Sequence, residues 1–226
     1  MHPAAVRTLR RCIAKKEVKL KENTHITLSL TLDKPDFSLF SPLLQQGFRI
    51  TAQVGRSMKH LLCEQLKVEA DYLAERINTI FLDSKPVDDV DTAIVNDGST
   101  VALSASMPGL VGATFRRGGV LATFRSGISC QGKGENADVP EEGTVKIKLF
   151  NLLVGELGPV FLSVGIWAKK EDVEDVINAG ADTLQSFIRS AEKDGHEISL
   201  DQLAVLNWDE APENVFLKAV VNSGAV

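Results

Sequence analysis

The alternation of polar and apolar residues in two segments constrains the fold of this chain more than any other feature. Residues 24–32, THITLSLTL, and residues 48–54, FRITAQV, both repeat with a period of two. That period predicts a β-strand with one buried face. The segment DKPD, residues 33–36, ends the first strand. Between residues 58 and 66 the apolar positions instead follow a helical period, and Ser57 is placed to cap a helix there.

The next segment continues with short strands and tight turns. Residues 77–87, INTIFLDSKPV, combine an apolar strand with a proline-containing turn. The triplet Asn96-Asp97-Gly98 predicts a turn, because glycine tolerates a positive φ and Asn or Asp can bond its own backbone. Residues 100–106 alternate again and predict another strand. The first half of the chain therefore predicts the order strand, strand, helix, strand, turn, strand.

Part of this region resembles a known family. The sequence VNDGSTVAL, residues 95–103, resembles the MoaD/ThiS sulfur-carrier family, and GRSMKHLL, residues 55–62, lies where the helix of that family starts. The resemblance implies a β-grasp (ubiquitin-like) domain over residues 24–110. In that family the chain ends in Gly-Gly, whose carboxylate is adenylated and converted to a thiocarboxylate. At the matching position this sequence has MPG, residues 107–109, and a Gly-Gly pair follows only at residues 118–119.

The Gly-Gly pair lies in GATFRRGGVLATFR, residues 112–125, where the letters ATFR occur on both sides of it. We expect a protruding β-hairpin with the glycines as its turn, because both central positions of a type I′ turn take a positive φ. Its candidate binding residues are Arg116, Arg117, Gly118, Gly119 and Arg125. Their basic spot suits an acidic partner or an anion, or protects a strand edge from aggregation.

Beyond this hairpin the sequence predicts a loop, a second hairpin and a long helix. Residues 127–144 are polar and rich in glycine. Residues 145–154 and 160–168 flank the turn GELGP and predict paired strands. From residue 170 to 193 an apolar stripe predicts a helix. The expected fold class is α+β in three parts, which are a basic N-terminal helix at 1–23, the β-grasp domain at 24–110 and a C-terminal α+β region at 111–226.

Charge and composition argue against several classes of protein. The chain carries 30 Asp and Glu against 25 Lys and Arg, a net charge of −5, which argues against a nucleic-acid binder. The longest apolar region, residues 145–167, is interrupted by charged residues and a proline, so we expect no membrane span. Three widely spaced cysteines, Cys12, Cys63 and Cys130, indicate free thiols and a cytoplasmic protein. The carboxylates of residues 87–91, VDDVD, lack the spacing of a calcium loop, and we expect no metal and no cofactor.

These observations favour a non-catalytic binding or scaffold protein that uses a β-grasp surface to engage a protein or a small ligand. Self-association through the hairpin is also open. Two alternatives remain, a sulfur carrier made active by proteolysis after Gly119 and a cysteine-dependent enzyme. The candidate nucleophile of that enzyme is Cys130 in the glycine-rich SGISCQGKGE, for which the sequence assigns no histidine partner.

Overall fold

A computed structural model of the chain describes residues 25–34, 37–125, 127–130, 141–179 and 187–222. These residues form a mixed α/β protein that divides into two compact units. Unit 1 contains Arg49–Glu156, and unit 2 contains the described residues up to Phe48 and from Leu157 onward. The basic helix expected at residues 1–23 lies outside the described residues.

The strands are short, and most of them alternate buried and partly exposed side chains. They are β1 His25–Leu32, β2 Phe48–Val54, β3 Arg56–Ser57, β4 Thr79–Leu82, β5 Lys85–Pro86, β6 Ile94–Val95, β7 Thr100–Ser104, β8 Glu141–Phe150, β9 Ile166–Lys169, β10 Ile188–Lys193, β11 His196–Ile198 and β12 Asn214–Val221.

The helices are likewise short. They are α1 Ser41–Gln46, α2 Ala70–Glu75, α3 Gly109–Phe115, α4 Leu152–Val164, α5 Lys170–Ala179 and α6 Leu200–Ala204. Two 3-10 helices, Ser38–Phe40 and Val120–Arg125, and a π-helix, His60–Gln65, complete the described elements.

In unit 1 five strands lie side by side in the order β2-β8-β7-β4-β5, and β3 pairs with β6 in a separate two-stranded sheet. The central strands β7 and β8 are parallel, whereas β4 is antiparallel to both β7 and β5. Gly143 at the start of β8 lies against Val54 at the end of β2, so these two neighbours run antiparallel. Alternate residues of the central strands are buried, namely Val101, Leu103, Val145, Ile147 and Leu149.

Unit 2 is built on the strand order β11-β10-β1-β12-β9. Its central strand β1 is antiparallel to β10 and parallel to β12, and β12 is antiparallel to β9. Asp194 and Gly195 both have a positive φ and form the tight turn between β10 and β11. Helix α5 packs against β9 and β12 and buries Val173, Val176 and Ile177.

The two alternating segments are confirmed as strands. Every second side chain of β1 and of β2 is buried, so the period-two pattern reports the burial of one face. The strand expected from residue 100 is β7, and Gly98 in the turn before it has a φ of 75°. The helix expected at 58–66 is also present, with residues His60–Gln65 in the π form.

The expected hairpin around Gly118 and Gly119 is wrong. The backbone N–H groups of this segment donate to nearby carbonyls, Arg116 to Gly112 at 2.9 Å and Ala122 to Gly119 at 3.0 Å, and do not form a ladder. The physical reason lies in contacts that two arginines make. Arg125 donates to Thr114 O at 2.6 Å and to Asp88, and Arg117 donates to Leu73 O at 2.6 Å, so these side chains hold the segment as a helix, a turn and a 3-10 helix.

The second expected hairpin is also wrong. Its first half is β8, but the chain turns at Asn151, which has a φ of 56°, and continues as helix α4 with the letters GELGP inside it. The side-chain amide of Asn151 stabilises this turn by donating to Ser104 Oγ at 2.9 Å. A continuous apolar run fits a buried helix as well as a buried strand, so periodicity could not separate the two.

The helix expected over the whole of residues 170–193 is wrong for the last part of that range. Helix α5 covers Lys170–Ala179, and Ile188–Lys193 is strand β10. A β-bulge explains the error, since Leu32 pairs with Ile188 and the next residue, Thr31, pairs with Ser190. The extra residue, Arg189, leaves Ile188 and Ala191 buried three positions apart, a spacing that also fits one face of a helix.

The expected domain boundaries at residues 24 and 110 do not coincide with those of the two units. Strand β1 belongs to unit 2, and unit 1 continues past residue 110 to Glu156. The reason is the pairing of β8 with β7, which brings a strand from later in the chain into unit 1. None of the described helices is long and apolar enough to cross a bilayer.

Candidate functional site

Residues 109–130, which we call the strap, follow strand β7 in unit 1 and contain all the sequence-predicted site residues. The strap begins where Gly109 takes a φ of 69° after Pro108 and helix α3 starts. A Cβ at Gly112 would overlap the carbonyl oxygen of Met107, so only glycine fits at this point of the helix. The first turn of helix α3 therefore packs tightly against the backbone of Met107, which follows β7 in the chain.

Arg125 is the main clamp of the strap, and it is buried, with 3 % of its surface exposed. Its guanidinium donates to both carboxylate oxygens of Asp88, at 2.6 and 2.9 Å, and to Ser129 Oγ at 3.0 Å. It also donates to the carbonyl oxygen of Thr114 at 2.6 Å, at the end of helix α3. One side chain thus ties the 3-10 helix to α3 and to the turn that carries Asp88.

Arg117 is the second anchor. Its guanidinium donates to the carbonyl oxygen of Leu73 at 2.6 Å, and its backbone N–H donates to Asn78 O at 2.7 Å. Asn78 in turn donates its side-chain amide to Ala105 O at 2.6 Å. Burial lowers the pKa of Arg117, but the group stays charged at neutral pH. This arginine serves to hold the strap against the helix α2 region.

The remaining predicted residues of the strap lie at its surface. Arg116 and Gly118 are exposed, and Gly118 has a φ of 65°. The N–H of Gly119 donates to Arg116 O at 3.1 Å, so the two glycines form a tight local turn between α3 and the 3-10 helix. The structure therefore separates the five predicted binding residues into two inward anchors and an exposed turn.

Apolar side chains cover the outside of the strap. Val120 is 91 % exposed and Phe124 is 83 % exposed. Seven large apolar side chains among the described residues are exposed in this way, and five of them belong to the strap, namely Leu110, Val111, Val120, Phe124 and Ile128. Phe115 differs, because its ring packs against Phe81 with 5.3 Å between centroids. Exposed apolar groups concentrated on a braced segment are typical of an interaction surface.

Cys130 is the last residue of the strap. Its backbone N–H donates to Pro86 O at 2.8 Å, and its side chain is half-buried. Within the part of the chain that the structure describes, no histidine forms a hydrogen bond with the Cys130 thiol. No group of three potential metal ligands is present among those residues either. Among the described residues, no histidine is therefore placed to act as a base for Cys130.

Three residues that position the strap were not expected from the sequence. Asp88 lies in VDDVD, which has the composition of a solvated turn, yet it is the partner of Arg125. Asn78 and Gly112 carried no local signal, because their roles depend on Ala105 and Met107, which precede the strap. Searches of protein-family models, of curated proteins and of solved structures found no match to this chain.

Proposed function

We propose that this chain is a non-catalytic protein-binding module, built on a β-grasp domain with a permuted strand order, and that the strap is its contact surface. The observation that carries the proposal is the contrast within the strap. Arg125 is 3 % exposed and holds the segment in place, whereas its neighbour Phe124 and the nearby Val120 are more than four-fifths exposed.

The β-grasp part of the proposal is supported by the strand order of unit 1. A β-grasp sheet has two parallel central strands, each with an antiparallel neighbour, and helices that follow the second strand in the chain. Here β7 and β8 take the central positions, β4 and β2 lie beside them, and the π-helix and α2 follow β2. In this assignment β8 occupies the place of the first strand, which the sequence resemblance had given to residues 24–32.

The binding part is supported by the construction of the strap. Leaving Phe124 and Val120 in water is unfavourable by about 25 cal/mol for each Å² of apolar surface that a partner could cover. Because the clamp of Arg125 and the anchor of Arg117 already fix the backbone, a partner would meet an ordered surface. A surface that is ordered before binding loses less conformational entropy when a complex forms.

A selection from phage-displayed random peptides on the immobilised full chain tests this proposal. We expect enrichment of peptides with apolar residues, and loss of that enrichment in the Phe124→Ser variant. Val205→Ser is the matched control, because Val205 is 79 % exposed in unit 2 and its loss should leave the selection unchanged. A selection that enriches nothing, or one that Phe124→Ser leaves intact, contradicts the proposal.

The sulfur-carrier alternative requires cleavage after Gly119. The bonds from Gly119 N to Arg116 O and from Ala122 N to Gly119 O hold both sides of that peptide bond in a compact turn. Intact-mass measurement of the protein from its native cells separates the two hypotheses. A fragment that ends at Gly119, or one that carries the mass of a thiocarboxylate, would replace the binding module with a carrier.

A further inference from the structure

The strap is basic, whereas the chain as a whole is acidic. Residues 109–130 contain three basic residues, Arg116, Arg117 and Arg125, and no Asp or Glu, and the whole chain has a net charge of −5. Other stretches such as residues 37–63 also lack carboxylates, but the strap combines this charge with the concentration of exposed apolar side chains. Such a surface would attract an anionic group.

Each of the three arginines of the strap has a different environment in the structure. Asp88 neutralises Arg125, and the guanidinium of Arg117 is taken up by Leu73 O. Arg116 is exposed, and among the described residues no carboxylate forms an ion pair with it. The turn closed by the bond from Gly119 N to Arg116 O leads directly into Val120, so Arg116 and Val120 flank the same tight turn. The exposed apolar groups are therefore accompanied by one available guanidinium.

These features argue against two other occupants of the strap. A two-fold contact between copies of this chain would place two straps together, and neither strap carries an Asp or Glu that could pair with the exposed Arg116 of the other. An anionic membrane would repel a chain with a net charge of −5 and would gain only one exposed arginine on the described part of the strap. A separate acidic protein segment satisfies both the apolar side chains and Arg116.

We propose that the strap binds a protein segment whose apolar residues are flanked by Asp or Glu, with Arg116 pairing with a carboxylate. This inference rests on the proposed function, because it names the chemistry of the partner that the same surface would take. Arg116 has the fork geometry that suits a carboxylate, and a charge at the rim of an apolar contact mainly sets specificity and association rate.

The experiment compares two peptide selections, one on the wild-type chain and one on the Arg116→Glu variant. We expect the wild type to enrich peptides with Asp or Glu beside apolar residues, and the variant to enrich Lys or Arg at the same positions. A synthetic acidic peptide from the first selection should bind Arg116→Glu about tenfold more weakly than wild type. That difference should shrink at about 1 M NaCl, where the Debye length is ~3 Å. Arg189→Glu, at an exposed arginine of unit 2, is the matched control.

The outcomes separate this inference from the proposed function. Peptides that depend on Phe124 but show no excess of carboxylates, or the same excess with Arg116→Glu, overturn the inference and leave the binding module standing. If sedimentation shows a dimer that the Phe124→Ser substitution abolishes, the strap binds a second copy of this chain. That outcome also overturns the inference of an acidic partner. Flotation with phosphatidylserine vesicles that is lost in Phe124→Ser would assign the strap to a membrane, with the same consequence.

Discussion

Replacing Arg125 by Met should open the strap, because Met keeps much of the buried volume and removes every donor. Breaking a fully buried ion pair costs about 3 to 5 kcal/mol. The Asp88 side chain is 39 % exposed and can be hydrated, which lowers this cost, but the carbonyl oxygen of Thr114 also loses its charged donor at 2.6 Å. We therefore expect a loss of about 3 kcal/mol in the free energy that keeps the strap closed.

Native-state hydrogen exchange measures this loss at the strap itself, which is preferable to a global transition in a chain of two units. The amide of Arg117 donates to Asn78 O in the closed strap. A loss of about 3 kcal/mol corresponds to roughly 100-fold faster exchange at that amide. Amides of β1 and β12 in unit 2 should keep their protection.

Arg116→Met is the matched control, since it removes the same chemical group from the neighbouring arginine at the surface. Its effect on the Arg117 amide should be below about 0.5 kcal/mol. If Arg125→Met and Arg116→Met change the exchange of that amide equally, the clamp assigned to Arg125 is wrong.

Two further predictions concern glycine and acid. Gly112→Ala should destabilise the protein by about 3 kcal/mol through overlap with the Met107 carbonyl, whereas Gly155→Ala, inside helix α4 with nothing within 4 Å of the new Cβ, should stabilise it by about 0.5 to 1 kcal/mol. Urea unfolding measures both, and equal shifts would contradict the packing at Gly112. The pKa of Asp89 is lowered from 3.8, first by the backbone N–H of Asp91 and then by the hydroxyl of Thr92. Its contribution to stability is therefore complete above that value and is lost as the pH falls below it. In Asp89→Asn the melting temperature should fall less between about pH 5 and about pH 3 than in the wild type, and an unchanged slope would rule this out.

The sequence predicts structure well where one face of an element is buried without interruption. Strand β2 begins and ends at the expected residues because each of its buried side chains, from Phe48 to Val54, is two positions from the next. Strand β10 breaks this rule at one residue. The bulge at Arg189 restores the pairing with β1 but changes the spacing of the buried residues, and the spacing is all that the sequence displays.

The conformation of the strap could not be predicted from the spacing of its residues. An Arg-Arg-Gly-Gly sequence between two copies of ATFR satisfies the local rules for a hairpin, and those rules depend only on residues a few positions apart. The partners that decide its structure are distant, since Asp88 is 37 residues from Arg125 and Leu73 is 44 residues from Arg117. The parallel pairing of β7 with β8 also makes this segment part of a crossover connection, which the local rules do not reveal.

The same reasoning explains why the three arginines of the strap have different surroundings in the structure. Three arginines of equal chemistry differ in the structure because only two of them meet acceptors brought in by other elements, Arg125 at Asp88 and Arg117 at Leu73. Within the part of the chain that the structure describes, Arg116 meets no such acceptor, and it stays exposed. A sequence indicates which residues can donate to an anion, but only the tertiary structure decides which donors are already used. Under the proposal above, Arg116 is therefore the donor that pairs with a carboxylate of the partner.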